Sequence, residues 1–166
     1  VQWDPVDPIG FSTAEKKLYR KEGVYVVIGG AGGIGEIWSE YMIRTYQTKI
    51  IWIGRRKADG AIEEKLERLE ALGSRPEYIA ADAADRKSLD QAYKRVKEKH
   101  ARINGVIHSA IVLSDKSLAN MEPERFKASL SAKVDVSVRM AQVFENEPLD
   151  FVMFFSSLQS FTKAPG

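Results

Sequence analysis

Five glycines occupy seven consecutive positions in Gly29-Gly30-Ala31-Gly32-Gly33-Ile34-Gly35. Glycine permits tight turns and close backbone approach to a ligand. A turn that opens a helix also offers unpaired N–H groups at the positive end of the helix dipole. These are the means by which proteins hold a nucleotide pyrophosphate. Two registers fit the run. G-x-G-x-x-G takes Gly30, Gly32 and Gly35, whereas G-x-x-x-G-x-G takes Gly29, Gly33 and Gly35. An isolated glycine cluster also describes an ordinary turn, so the flanks decide its weight. The β-branched stretch Val24-Tyr25-Val26-Val27-Ile28 precedes it, and a helical pattern begins near Gly35.

Arg55 and Arg56 stand about 20 positions after Gly35, behind the apolar stretch Lys49-Ile50-Ile51-Trp52-Ile53 and Gly54. NAD binders place an acid there for the ribose hydroxyls. An arginine fork suits a 2′-phosphate instead, because it donates paired hydrogen bonds to a dianion. The pair favours NADPH over NADH; the competing reading is a solvated loop.

Three further residues could do chemistry. Phe126, Leu130, Lys133, Ser137, Met140 and Phe144 recur at spacings of three and four, which predicts one stripe on a long helix with Lys133 in its middle. A lysine on a core-facing stripe must snorkel, meet an anion or serve a site, because an unpaired buried ammonium is unfavourable. Ser157 follows Phe151-Val152-Met153-Phe154-Phe155, where it either faces a ligand or satisfies its own loop. His108 closes another apolar stretch and is expected to be buried and hydrogen-bonded. With two histidines, no cysteine and no nearby carboxylate motif, neither a metal site nor a Ser-His-Asp triad is supported.

Alternating strands and helices must position these groups. Glu36 to Tyr46 predicts a helix with Ile37, Trp38, Tyr41 and Met42 as its periodic residues, and Ala61 to Leu72 one with Ile62, Leu66 and Leu69. Glu77-Tyr78-Ile79-Ala80-Ala81 is a short strand ending at Asp82. Ser88 to His100 is helical through Leu89, Ala92, Tyr93 and Val96. Ile103 to His108 and Leu149 to Phe155 are the fourth and fifth strands, with one long helix from Pro123 to about Asn146 between them. The strand Phe151-Val152-Met153-Phe154-Phe155 is apolar enough to be buried on both sides. The series predicts an α/β fold, a Rossmann-like doubly wound parallel sheet with helices on both faces. Ligands of such sheets lie at the C-terminal strand ends. The residues to weigh are then the glycine run, Arg55, Asp82, His108-Ser109-Ala110 and Ser156-Ser157.

A chain of 166 residues is one domain by default and can bury its own core. Its 44% hydrophobic and 29% charged content is that of a soluble globular protein. The net charge of +2 and the interleaving of acids with bases argue against nucleic acid as a partner. No run of apolar residues is long enough to span a membrane, no signal-peptide pattern opens the chain, and a cytoplasmic location is expected by default. Residues 1–22, punctuated by Asp4-Pro5 and Asp7-Pro8, read as a linker or the tail of an upstream element.

Taken together, Gly23 to Gly35, Ile53-Gly54-Arg55-Arg56, Gly105-Val106-Ile107-His108-Ser109-Ala110, Ala132-Lys133-Val134-Asp135 and Phe154-Phe155-Ser156-Ser157 resemble a ketoreductase domain of a modular polyketide synthase. That family lies within the short-chain dehydrogenase/reductase superfamily, and the likeness runs from about residue 16 to the end. The resemblance implies the Gly29, Gly33, Gly35 register and an NADPH site made by Gly29, Gly30, Gly32, Gly33, Ile34, Gly35, Arg55, Arg56, Asp82, Ala83, His108, Ser109 and Ala110. Within it, Asp82 borders the adenine and Arg55 the 2′-phosphate. Lys133 becomes the active-site lysine, and Ser157 the hydrogen-bond donor to a substrate ketone. The implied reaction is reduction of a β-ketoacyl thioester carried on an acyl carrier protein, with other synthase domains as partners. Residues 23–166 are then the NADPH-binding catalytic domain, lacking its C-terminal part, and residues 1–22 the end of an upstream structural subdomain.

Three departures stand out. Ile28 replaces a customary threonine, His108-Ser109-Ala110-Ile111 replaces His-Ala-Ala-Gly, and the family's tyrosine and asparagine are expected shortly beyond Gly166. Leu113-Ser114-Asp115, partly matching Leu-Asp-Asp, and the lack of tryptophan in Gln159 to Gly166 suggest a D-configured product. The competing readings are a non-catalytic nucleotide-binding remnant and a free-standing reductase of small ketones.

Overall fold

The computed structural model describes residues 18–112 and 116–157. Five strands form one parallel sheet: β1 (Val24–Ile28), β2 (Lys49–Gly54), β3 (Glu77–Ala80), β4 (Gly105–His108) and β5 (Phe151–Phe154), ordered β3-β2-β1-β4-β5. The helices are α1 (Gly33–Tyr46), α2 (Gly60–Glu70), α3 (Arg86–Lys99), α4 (Pro123–Ser131) and α5 (Val134–Val143). The Rossmann-like class expected of the sequence is the one observed.

Alternation along the strands divides the core into two layers, since successive side chains leave a strand on opposite faces. On one face Tyr25, Val27, Ile50 and Trp52 pack against Trp38, Met42 and Ile43 of α1 and Ile62, Leu66 and Leu69 of α2. On the other, Val24, Val26, Ile51, Ile53 and Val106 meet Leu89, Ala92 and Val96 of α3 and Val136, Met140 and Phe144 beside α5. These helices are amphipathic because one stripe must be apolar to cover the sheet.

Several sequence expectations need correction. Ile37 and Tyr41 are not core residues: they are 71% and 49% exposed, and Trp38, Met42 and Ile43 carry the buried face of α1 instead. The long helix is two helices that break at Ala132-Lys133, so the stripe through Lys133 is not continuous. Its first half is on the surface, with Phe126 and Leu130 about half exposed, while Val136, Met140 and Phe144 are buried. β5 is not covered on both sides. Val152 and Phe154 are about half exposed, whereas Phe151, Met153 and Phe155 pack on the layer beneath α1.

The chain segments that enter β1, β4 and β5 are tied by charge. Asp150 receives the Arg20 guanidinium at 2.6 Å, Arg102 at 2.9 Å and the Asn104 amide at 2.9 Å, which hold its carboxyl well below the usual carboxylate range. Glu147 accepts from Tyr93 Oη, Lys97 Nζ and the Ile103 amide. Burial, reinforced by that carboxylate, pushes the Tyr93 phenol up to about 12. Both carboxylates anchor chain crossings at the foot of the sheet. Among the described residues no helix is long and apolar enough to cross a membrane.

Candidate functional site

Register assembles the site. Ile28 pairs with Ile53 and His108, Gly54 with Ala80, and His108 with Phe154, so all five strands end along one line. One more rung follows: Gly29 N–H donates to Ile53 O, Ala81 to Gly54 O, Ser109 to Ile28 O and Phe155 to His108 O. The residues next along the chain open into a cleft of about 710 Å³. It lies where chain order reverses, between β1 and β4, the place where open parallel sheets bind ligands.

Of the residues assigned to the cofactor site from the sequence, Gly29, Gly32, Arg55, Arg56, Asp82, Ala83, Ser109 and Ala110 line that cleft. Gly30, Gly33, Ile34, Gly35 and His108 are not part of its lining, though all but His108 belong to the same turn or the first turn of α1. Within the turn the glycines are not equivalent. Gly29 has φ +81°, and a Cβ there would meet the Ala110 backbone at 2.6 Å. At Gly30 it would lie 2.0 Å from the Trp52 indole, and at Gly35 2.7 Å from Gly30 Cα. Gly33 has open space around it. Packing within the protein thus requires glycine at 29, 30 and 35, but not at 33.

Trp52, which sequence reading treated only as strand filler, is the floor of this turn. Its indole N–H donates to Ser39 Oγ at 2.8 Å, and Ser39 in turn donates to Gly35 O at 2.6 Å. The chain of bonds satisfies a buried indole and fixes the start of α1 over the sheet. No side chain caps α1: Gly32 is its N-cap, and the first intrahelical bond runs from Glu36 N–H to Gly32 O. The N–H groups at its N-terminus are therefore open to a ligand. An uncapped helix, glycines against a filled floor and an arginine pair across the cleft fit a phosphate-bearing nucleotide.

Beside β2, Tyr78 donates its hydroxyl to Arg56 O at 2.7 Å and fills the space over Gly54. Arg56 pairs with Asp59 at 3.3 Å, and Asp59 also caps α2 through Ile62 N–H. Arg55 has no such ion pair among the described residues. Asp82 accepts from Ala84 N–H at 2.9 Å, and Ser88 Oγ accepts from Asp82 N–H. Ser109, a departure from the resembled motif, donates its hydroxyl to Ile28 O at 3.0 Å. Ile28, another departure, is a buried core residue.

Lys133 and Ser157 lie outside the cleft lining. Lys133 is the N-cap residue of α5 and reaches just past the end of β5, where Nζ donates to Phe155 O at 3.4 Å, two residues before the exposed Ser157. Burial holds the Lys133 ammonium below its ordinary pKa. His108 is buried as expected, but neither ring nitrogen has a hydrogen-bond partner among the described residues. Its pKa is lowered by burial and then by the Lys133 charge. The Leu113-Ser114-Asp115 and Gln159 to Gly166 stretches lie outside the described residues.

The family model for the KR domain matches residues 23–166. The chain belongs to the KR-domain family. It is 67% identical over 148 residues to polyketide synthase PksN of Bacillus subtilis, and 60% identical over 156 residues to polyketide synthase PksM of the same organism. Those alignments take in 89% and 94% of this chain but only 3% and 4% of the synthases. Among solved structures, an N-terminal ketoreductase from the macrolactin assembly line superposes with a TM-score of 0.85 at 35% identity, covering 89% of this KR chain and 30% of that one. A ketoreductase domain from the bacillaene assembly line gives 0.84 at 30% identity, covering 89% and 36%. The KR fold implies a nicotinamide nucleotide as cofactor.

Proposed function

We propose that this KR domain reduces a β-ketoacyl thioester, presented by an acyl carrier protein, with NADPH as reductant. We place the domain proper at residues 23–166, with residues 1–22 leading in from an upstream subdomain. The observation that carries the reading is the half-buried Lys133, bonded to the Phe155 carbonyl two residues before Ser157 and adjacent in sequence to cleft residue Ala132.

In this reading the N–H groups opening α1 and the turn Gly29 to Gly35 hold the pyrophosphate. Arg55 and Arg56 take the 2′-phosphate, and Asp82 with Ala83 borders the adenine. Ser109 and Ala110 form the wall toward the nicotinamide, over His108. When bound, the nicotinamide nucleotide supplies the hydride. Ser157 donates a hydrogen bond to the ketone oxygen as it gains negative charge. Lys133, a cation in a half-buried site, stabilises the negative charge that develops during the proton transfer, for which the resembled family uses a tyrosine. His108 stays neutral there, which avoids a second cation next to Lys133. The product is assigned the D configuration from Leu113 and Asp115.

The test is reduction of a β-ketoacyl thioester surrogate by the domain together with its flanking chain, with NADPH and with NADH. NADPH should be preferred, and Lys133→Ala and Ser157→Ala should each lower kcat by roughly 10²-fold or more. Near-normal rates in both variants overturn the residue assignments. No turnover in the wild type, with NADPH still bound, would instead mark a nucleotide-binding remnant, and chiral analysis of the alcohol checks the configuration.

A further inference from the structure

Glu36 places a buried carboxylate in the first turn of α1, close to the N-terminus that a pyrophosphate would use. Alone it would favour the helix dipole but repel a phosphate. Two cations from α2 offset it. Lys65 Nζ lies 2.7 Å from Glu36 Oε2, and Arg68 pairs with Glu36 Oε1. Lys65 has a second partner that Arg68 lacks: it donates to Ala31 O at 2.8 Å, in the middle of the glycine turn.

A turn with five glycines in seven positions has little stiffness of its own, since glycine loses the most conformational freedom on being ordered. The Trp52 indole supports it from below. Lys65 is the side-chain tie from outside β1 and α1 to a backbone carbonyl within the turn among the described hydrogen bonds. We propose that Lys65 is a positioning residue for the cofactor turn. Braced by Glu36, it fixes the Ala31 carbonyl and so pre-orders the N–H groups that follow. Affinity then benefits because less ordering remains to be done on binding. The proposal rests on the nicotinamide-nucleotide reading for its ligand, but not for the ordering of the turn.

Lys65→Met and Lys65→Arg test it in the domain with its flanking chain. NADPH binding is followed by fluorescence, kcat at saturating NADPH with the thioester surrogate, and amide hydrogen exchange of Gly32 to Glu36 without cofactor. Lys65→Met should weaken NADPH about tenfold while kcat at saturation stays within about twofold, the split expected when uniform binding is lost. Exchange of the turn amides should speed up, and Lys65→Arg should restore most of both effects. If Lys65→Met is unfolded, Glu36→Gln is read in its place by exchange of the turn amides alone, with faster exchange expected, because removing that carboxylate also changes the charge facing a phosphate. Unchanged exchange and affinity in a folded variant overturn the proposal, as does an arginine variant no better than methionine. A wild type that binds no NADPH would remove the cofactor reading, while the exchange measurement still decides whether Lys65 orders the turn.

Discussion

The turn from β1 into α1 has glycines, no capping side chain and a filled floor, whereas the turn from β3 into α3 has two aspartates that consume its own N–H groups. Asp85 caps α3 through Ser88 N–H at 2.7 Å, and Asp82 accepts from Ala84 N–H. α2 is capped likewise by Asp59. Both the β1 and β3 turns border the same cleft, yet only the first leaves a helix N-terminus open. A capped terminus has satisfied part of its donor set and carries a carboxylate that repels anions. The difference leaves the first turn better suited to an anion than the second.

The largest test of this contrast is Gly30→Ala. Its Cβ would overlap the Trp52 indole, so either the turn or the strand must move. About 2 kcal/mol or more of stability should be lost in urea unfolding, along with most NADPH binding, and Trp52→Leu in the same chain should recover part of both. Wild-type behaviour in Gly30→Ala would show that the turn does not rest on Trp52.

Gly33→Ala separates packing from binding. No atom lies within 4 Å of a Cβ at Gly33, and alanine is the better helix former, so the melting temperature should hold or rise slightly. NADPH affinity should nevertheless fall about tenfold if a phosphate packs against that backbone. Unaltered affinity would take Gly33 out of the site.

The smallest effect belongs to the capped turn. Asp85→Ala should remove about 1 kcal/mol of stability, measured by denaturant midpoint, and leave NADPH affinity as it was. A matching loss of affinity would mean that the two turns are not functionally distinct.

Much of the cleft lining was legible because it follows strands whose ends can be read locally. Gly29, Arg55, Asp82 and Ser109 each succeed an apolar run, and parallel pairing places such positions on one edge whatever else the fold does. Lys133 was legible only as an oddity, a lysine on an apolar stripe. The reason for it, one continuous helix face, does not survive: α4 and α5 break at Ala132-Lys133, where Lys133 Nζ donates to Phe155 O. Ile37 and Tyr41 misled because apolar residues at helical spacing satisfy periodicity on more than one face, and local pattern cannot say which face meets the sheet.

By itself, the sequence determined the α/β order, the glycine turn and the basic pair after β2, all of which depend on neighbours in the chain. Only the tertiary structure decided that Trp52 lies under Gly30, that Tyr78 holds Arg56, and that Lys65 ties the glycine turn to α2. These contacts join residues far apart in sequence, and their existence depends on strand register and helix rotation, which no local spacing encodes.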